Sequence, residues 1–434
     1  MAAAPTQGST YDKIKIYSLD GKTDVDLRLG VVGFQYFEDL YSPAISAKMM
    51  VANTETVNGK GVYNGLPIRG GEKVEIEITT PIEEHREESG QFKVTLYVNR
   101  MTDYVQEKQK EVFTLDLISK EGITNLNKRV VKKYKAKKIS DIIKDFLKMV
   151  ECEYEDDDIE NTENAYNFIG NMRKPFTLAP MLASRAIPEG GKSTSAGFLF
   201  WQTRKGMKFK SIEKLCKDKN EQKVEEYVFS RDNIPLVDPE KSFRKVLSYS
   251  VANNNDVTGS QMRGEYSTYR IYFNPNDLTF TQPHESVFKP EGDTEQEKMG
   301  SEETPIPDEV DPKKIPKPEM AHRIVTGVYS CGTLEEKVEG NDDKAKINMD
   351  EKEDVSQAIS RYSSIFTQQV ILQVPVNTAL CAGDIIKCDF PQVSTEDEMD
   401  DAQSGLYIIK EISHFFVANR SYSAMRLIRD TSGV

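Results

Sequence analysis

Leu380-Cys381-Ala382-Gly383-Asp384-Ile385-Ile386-Lys387-Cys388-Asp389-Phe390-Pro391 is the stretch on which the fold turns. Its Gly-Asp pair marks a turn, where Gly383 relieves backbone strain. An alternating strand follows, and Phe390-Pro391 closes it. This is a small-barrel element, and its neighbours agree. Val355, Ile359, Tyr362 and Phe366 mark a short helix before it. Strands are expected at Gln369–Val374, Asp384–Phe390, Gly405–Ile412 and Tyr422–Ile428, the last two joined by a turn at Ala418-Asn419-Arg420. The C-terminal end is therefore a β-domain.

The opposite end of the chain carries the same signal. Lys13–Tyr17, Val74–Ile78, Phe92–Val98 and Val112–Leu117 alternate polar and apolar residues. Period-two alternation puts one face of a strand on a core and the other outward. Asn64-Gly65 and Gly70-Gly71 punctuate these strands. Several antiparallel strands at this spacing indicate a barrel or small sandwich.

Between the two ends the period changes. Ile139, Ile142, Ile143, Phe146, Leu147 and Val150 fall at helical spacing and predict an amphipathic helix. A second helix is expected after Thr177, capped by Thr177, with Pro180 in its first turn and Pro188 as its stop. Gly197–Phe209 predicts a β-hairpin turning at Lys205-Gly206, apolar on both faces and so buried against the helices. A strand at Phe243–Val251 follows. Gln282 to Met320 then holds seven prolines among many charges, too few apolar residues to offset the cost of ordering. Glu335 to Asp354 is acidic and expected to be exposed.

The fold class is thus α+β, predominantly β. Residues 10–127 form the first β-domain and 128–238 an α+β domain. Residues 239–256 and 355–434 together form the second β-domain, and 257–354 are a Pro-rich extended or flexible insertion.

The chain has 434 residues and a net charge of -13, so tight duplex binding, which needs clustered cations, is not expected. Cys152, Cys216, Cys331, Cys381 and Cys388 contain no Cys-x-x-Cys pair, which argues against a disulfide framework or zinc ribbon. Met1 to Thr10 lacks the basic and apolar regions of a signal peptide, and no apolar stretch approaches the ~20 residues that span a bilayer.

Candidate chemistry is thin. Lys192-Ser193 after Gly190-Gly191 resembles the end of a phosphate-binding loop, but Ala186 stands where that loop needs glycine, and the order of helix and strand is reversed. His85, His284, His322 and His414 are scattered. Glu155–Asp158 lacks the alternate-oxygen spacing of a calcium loop. Lys132–Lys138 is the one basic cluster; a solvated face is its ordinary explanation, and contact with nucleic acid or an acidic partner the alternative. A glycosidase needs two placed carboxylates, and nothing singles out a pair.

Taken together, the pattern resembles the central baseplate hub family of T-even-like contractile-tailed phages. The resemblance rests on Val355–Pro375 with Arg361-Tyr362, on Leu380–Pro391, on Gly405–Phe416, and on the middle segments Phe198–Thr203, Gly206–Phe209, Pro175-Phe176 and Ala183–Pro188. It implies two tube-like antiparallel β-barrel domains per chain and a homotrimer. Three chains would form a ring of six similar units joining a sixfold tail tube to a threefold spike, with a channel through which genomic DNA passes without specific binding. It implies a virion location in the tail baseplate, assembly in the host cytoplasm, and as partners a central spike protein, tail-tube or tube-initiator proteins and a tape-measure protein. No membrane insertion, cofactor, metal or catalytic centre is expected. The structural motif residues are Trp201, Gly206, Gly383, Asp384 and Pro391. A tail-associated cell-wall hydrolase and a tail-tip receptor-binding protein are the alternatives.

Overall fold

Alternating apolar and polar residues shape nearly half of the described residues into strands. The computed structural model describes residues 8–53, 56–57, 60–86, 90–108, 110–190, 197–218, 224–229, 243–253, 257–264, 267–274, 278–280, 284–287, 297–300, 322–328, 358–359, 361–392, 399–417, 420–431 and 433. The first strands are β1 (Thr10–Tyr17), β2 (Asp24–Asp26), β3 (Val31–Asp39), β4 (Ser46–Asn53), β5 (Thr56–Val57) and β6 (Lys60–Gly61). A one-turn helix α1 (Val62–Gly65) precedes β7 (Lys73–Thr79), β8 (Phe92–Glu107) and β9 (Lys110–Ile118). In β7 the alternation is literal: Val74, Ile76 and Ile78 are buried while Lys73, Glu75 and Glu77 face outward. These strands enclose a core that includes Phe34, Tyr36, Phe92 and Phe113, to which Val376 and Phe416 from the other end of the chain contribute.

The middle of the chain begins with α2 (Lys120–Asn127), β10 (Lys133–Lys138) and α3 (Ile139–Met149). The helical spacing is realised in α3, which buries Ile139, Ile142, Ile143, Phe146 and Leu147. β11 (Ala165–Ile169) pairs antiparallel with β10. The next helix, α4 (Pro175–Ala183), starts two residues before the expected Thr177 cap. Its N-cap is Lys174, Pro175 opens the first turn, and Pro180 lies inside the helix. Proline at a helix start lacks only an N–H that has no intrahelical partner, which lets Pro175 displace the Thr177 cap.

β12 (Phe198–Thr203) and β13 (Gly206–Ser211) form the expected hairpin, followed by α5 (Ile212–Lys217). Lys192 and Ser193 lie outside the described residues. β14 (Glu225–Val228) and β15 (Ser248–Asn253) lead into residues 257–354. The described part of that stretch holds more order than its proline content suggested. It contains α6 (Val257–Arg263) and a four-stranded sheet of β16 (Ser267–Asn274), β17 (Thr279–Phe280), β18 (His284–Val287) and β19 (Arg323–Val328). Strands β16 and β19 are rich in aromatic and β-branched residues and flank the proline-rich stretch Gln282–Met320, so local β-propensity prevails there.

The C-terminal strands are β20 (Gln368–Pro375), β21 (Ile385–Asp389), β22 (Gly405–Val417) and β23 (Arg420–Arg429). Residues 358–359 and 361–364 are helical, and Val355 lies outside the described residues. Val417 pairs with Arg420 across the last hairpin. The strands from both ends join in one sheet, in the order β15-β20-β23-β22-β3-β4-β9-β8-β7-β1-β2, with β21 on β22 and β14 on β21. The join is the antiparallel pairing of Glu411–Val417 with Gly33–Asp39. Among the described residues no helix is long and apolar enough to cross a membrane.

Candidate functional site at a three-way junction

The β12–β13 hairpin is where the three hydrophobic cores meet. All six residues of β12 are buried, which a half-exposed strand never shows. The alternation is still present, but it selects between two cores instead of core and solvent. Phe198 and Phe200 enter the core of the middle segment with α3 and α4. Leu199 and Trp201 enter the C-terminal core with Leu372, Ile386 and Ile408.

Trp201 meets the Leu380–Pro391 stretch directly. Its indole Nε1 donates to the Ala382 carbonyl at 2.9 Å. A Cβ at Gly383 would lie 2.8 Å from Trp201 Cζ2, and Gly383 has φ +96°. Glycine is therefore required there twice, for its backbone conformation and for space. Asp384 accepts from Cys381 N at 2.8 Å and closes the turn. Burial pushes its carboxyl above the ordinary range, against the pull of Lys205 and other nearby lysines.

The hairpin grips the N-terminal β-region equally. Gln202 Oε1 accepts from Ile45 N at 3.1 Å and Ser119 Oγ at 2.6 Å, while Gln202 Nε2 donates to Glu121 at 2.8 Å. Glu38 on β3 is 3 % exposed. Its carboxylate accepts from Tyr36 Oη at 2.8 Å, from Arg204 N at 2.7 Å and from Ala382 N at 2.9 Å. One side chain thus ties the N-terminal sheet, the hairpin tip and the C-terminal turn. Burial raises the Glu38 carboxyl, and the three donors hold it back. Arg204 continues the tie, donating from Nη2 to Thr378 O at 2.6 Å, its guanidinium 5.0 Å from the Phe92 ring centre.

A cavity of about 370 Å³ opens beside the hairpin, lined by Trp201, Lys205, Lys208, Lys210, Asp218 and Asp384 among others. The cations are largely answered from within: Lys208 pairs with Asp158, Lys210 lies 3.6 Å from Asp218, and Lys205 Nζ donates to Ala379 O at 2.9 Å. The geometry is that of a joint, in which backbone donors and buried acceptors hold three cores at a set angle.

The expected motif residues are partly united here. Trp201, Gly383 and Asp384 come together. Gly206 sits at the hairpin turn with φ +122°, a backbone requirement rather than a contact. Pro391 does not join them; it bridges to Met399 at the far end of its strand. Sequence reasoning missed Glu38, Gln202 and Arg204. The one signal for Glu38 was a carboxylate on the face of β3 that Phe34 and Tyr36 share, where a buried acid needs donors.

No family model matches the sequence, and no curated protein matches it. The fold, however, is one found among phage tail proteins. A tail protein from Neisseria meningitidis matches over 98% of this chain and 97% of its own, with 10% identity and a TM-score of 0.53. A 43 kDa tail protein of prophage MuSo2 from Shewanella oneidensis matches 97% of this chain and 100% of its own, at 11% identity and TM-score 0.48. An Escherichia coli component of the type VI secretion system matches 97% of this chain and 78% of its own, at 9% identity and TM-score 0.46.

Proposed function

We propose that this chain is a structural subunit of a phage tail baseplate, the hub that joins a sixfold tail tube to a threefold spike as a trimeric ring with a channel for the genome. The full-length likeness to the fold of the Neisseria tail protein supports a tail role. The observation that carries the ring reading is the β3–β22 pairing. It sets the two β-rich ends of one chain side by side, so that one chain can supply two units of a ring. Among the described residues β2 and β15 each pair on one side only. Such strands offer backbone donors and acceptors to a neighbouring subunit, and pairing them also removes an aggregation hazard. A closed threefold ring uses this kind of heterologous contact. The net charge of -13 suits a passage that DNA slides through without sticking.

The spike protein, tube or tube-initiator proteins and tape-measure protein are the partners of this reading, and the virion tail is its location. The chain works by shape and carries out no reaction. Light scattering on the purified protein tests the ring: the expected mass is three times 49.2 kDa. A stable monomer at high concentration overturns it. A peptidoglycan zymogram is expected to show no clearing, and clearing would favour a cell-wall hydrolase.

A further inference from the structure

The basic cluster of the middle segment surrounds exposed apolar side chains. β11 is followed by a tight turn, Gly170-Asn171-Met172-Arg173, closed by Arg173 N donating to Gly170 O at 3.0 Å. Met172 N donates to Val130 O at 3.1 Å, and Gly170 N to Lys132 O at 3.1 Å, so the turn lies against residues 130–132. Three apolar side chains stand out together here: Val131 at 68%, Ile169 at 51% and Met172 at 68% exposure. Arg129, Lys132, Lys133, Lys135 and Arg173 are all exposed around them. Of the nearby acids, Asp145 pairs with Lys132 at 3.1 Å, and Glu151 with Lys128 at 3.4 Å. A cationic ring around an aliphatic tip is out of character for a chain of net charge -13.

The backbone adds a second observation. Asn171 and Met172 have φ +47° and +56°. Turns with two positive φ values favour glycine, asparagine and aspartate. Methionine at such a position is disfavoured, yet it holds a flexible, exposed thioether within the patch. Methionine and arginine are among the residues enriched where proteins meet.

We propose that this turn is a docking point for an acidic, apolar segment of a different protein. Leucine-like side chains of that segment seat on Val131, Ile169 and Met172, and its carboxylates pair with the surrounding cations. Charge complementarity selects the acidic partner, and the aliphatic tip selects a polypeptide over nucleic acid. The aromatic that would stack on bases, Tyr134, is 2% exposed and stacked on Phe168 at 5.0 Å. At physiological salt, charges beyond ~8 Å are screened, so the local ring outweighs the net charge of the chain. The site stands whether or not the chain closes into a trimer.

Fluorescence anisotropy tests it with the full-length protein and a short labelled peptide of glutamates carrying leucines at helical spacing. An all-glutamate peptide and a duplex DNA of equal length are the comparisons. The leucine-bearing peptide is expected to bind most tightly. Ile169→Ser, Met172→Gly and Lys133→Glu should each weaken it by about tenfold, the loss typical of one anchor in a small interface. Met172→Gly separates docking from folding, because glycine accepts φ +56° freely: its melting temperature should rise while binding falls. The proposal is overturned if no peptide binds, if all-glutamate binds as well, if DNA binds more tightly, or if Met172→Gly leaves binding intact. A Met172→Gly change in the protein's own oligomeric mass also overturns it, by making a second copy the occupant.

Discussion

Trp201 covers Gly383: the indole donates to the carbonyl of Ala382 and its six-membered ring occupies the space a Cβ at position 383 would need. Gly383→Ala is expected to destabilise the protein by about 3 kcal/mol, from a positive φ and a contact of 2.8 Å. Trp201→Phe should cost about 2 kcal/mol by losing the hydrogen bond and leaving a gap. Because phenylalanine lacks the ring atom that collides, the two costs will not add. The double variant should be more stable than their sum by about 1 kcal/mol, measured by urea unfolding.

Glu38 makes a different prediction. Its oxygens face two backbone N–H groups and a tyrosine hydroxyl. Glu38→Gln removes the buried charge but turns an NH2 toward a donor, so it is expected to lose about 2 kcal/mol despite its nearly identical shape. Glu38→Ala leaves all three donors without an acceptor and should lose more. If Glu38→Gln unfolds at the wild-type denaturant midpoint, the carboxylate is not the tie described.

His414 contributes to the acid side of the stability curve. It is fully buried, stacked on Tyr36 at 6.0 Å, with Nδ1 2.9 Å from Ser423 Oγ. Burial, with the Arg204 charge second, pushes its pKa down to about 3. The unfolded chain therefore takes up a proton near pH 6.5 that the folded chain refuses. Stability is full above pH 6.5 and falls as pH drops toward 3. In His414→Phe this part of the slope should vanish; Ser423 Oγ keeps Asn377 N as a donor at 3.0 Å. An unchanged slope between pH 6.5 and 4 in that variant would assign the effect to other groups.

Arg361 and Asp430 form a buried ion pair at 2.7 Å that secures a distant segment. Asp430 Oδ1 accepts from Met299 N at 2.9 Å, and Arg361 also donates to Glu297 O. Asp430→Asn leaves a buried guanidinium without its countercharge and is expected to cost about 3 kcal/mol. Hydrogen exchange at Met299 should accelerate more than exchange in β7, since the tie is local. Equal acceleration at both sites would indicate global destabilisation only.

Much of the secondary structure was legible from periodicity, and for a physical reason: the side-chain periods of strand and helix are geometric constants. The alternation in β7, the helical stripe of α3 and the β12–β13 hairpin are local patterns, and the structure contains each of them, the hairpin turning at Arg204-Lys205, one residue before the expected pair. The full burial of β12 was also readable, because Phe198–Trp201 is apolar on both faces. β16 and β19 were missed because they flank the proline-rich stretch and were grouped with it in one insertion over 257–354.

What the sequence could not reveal is which distant residues meet. Glu38 and Ala382 are 344 positions apart, and Trp201 and Ala382 are 181 apart. A buried carboxylate is tolerated only when donors converge on it, and convergence belongs to the packed chain, not to any window of residues. The types and extents of the elements were determined locally. The pairing of β3 with β22 and the joint built around Glu38 were decided by how three cores close on one hairpin.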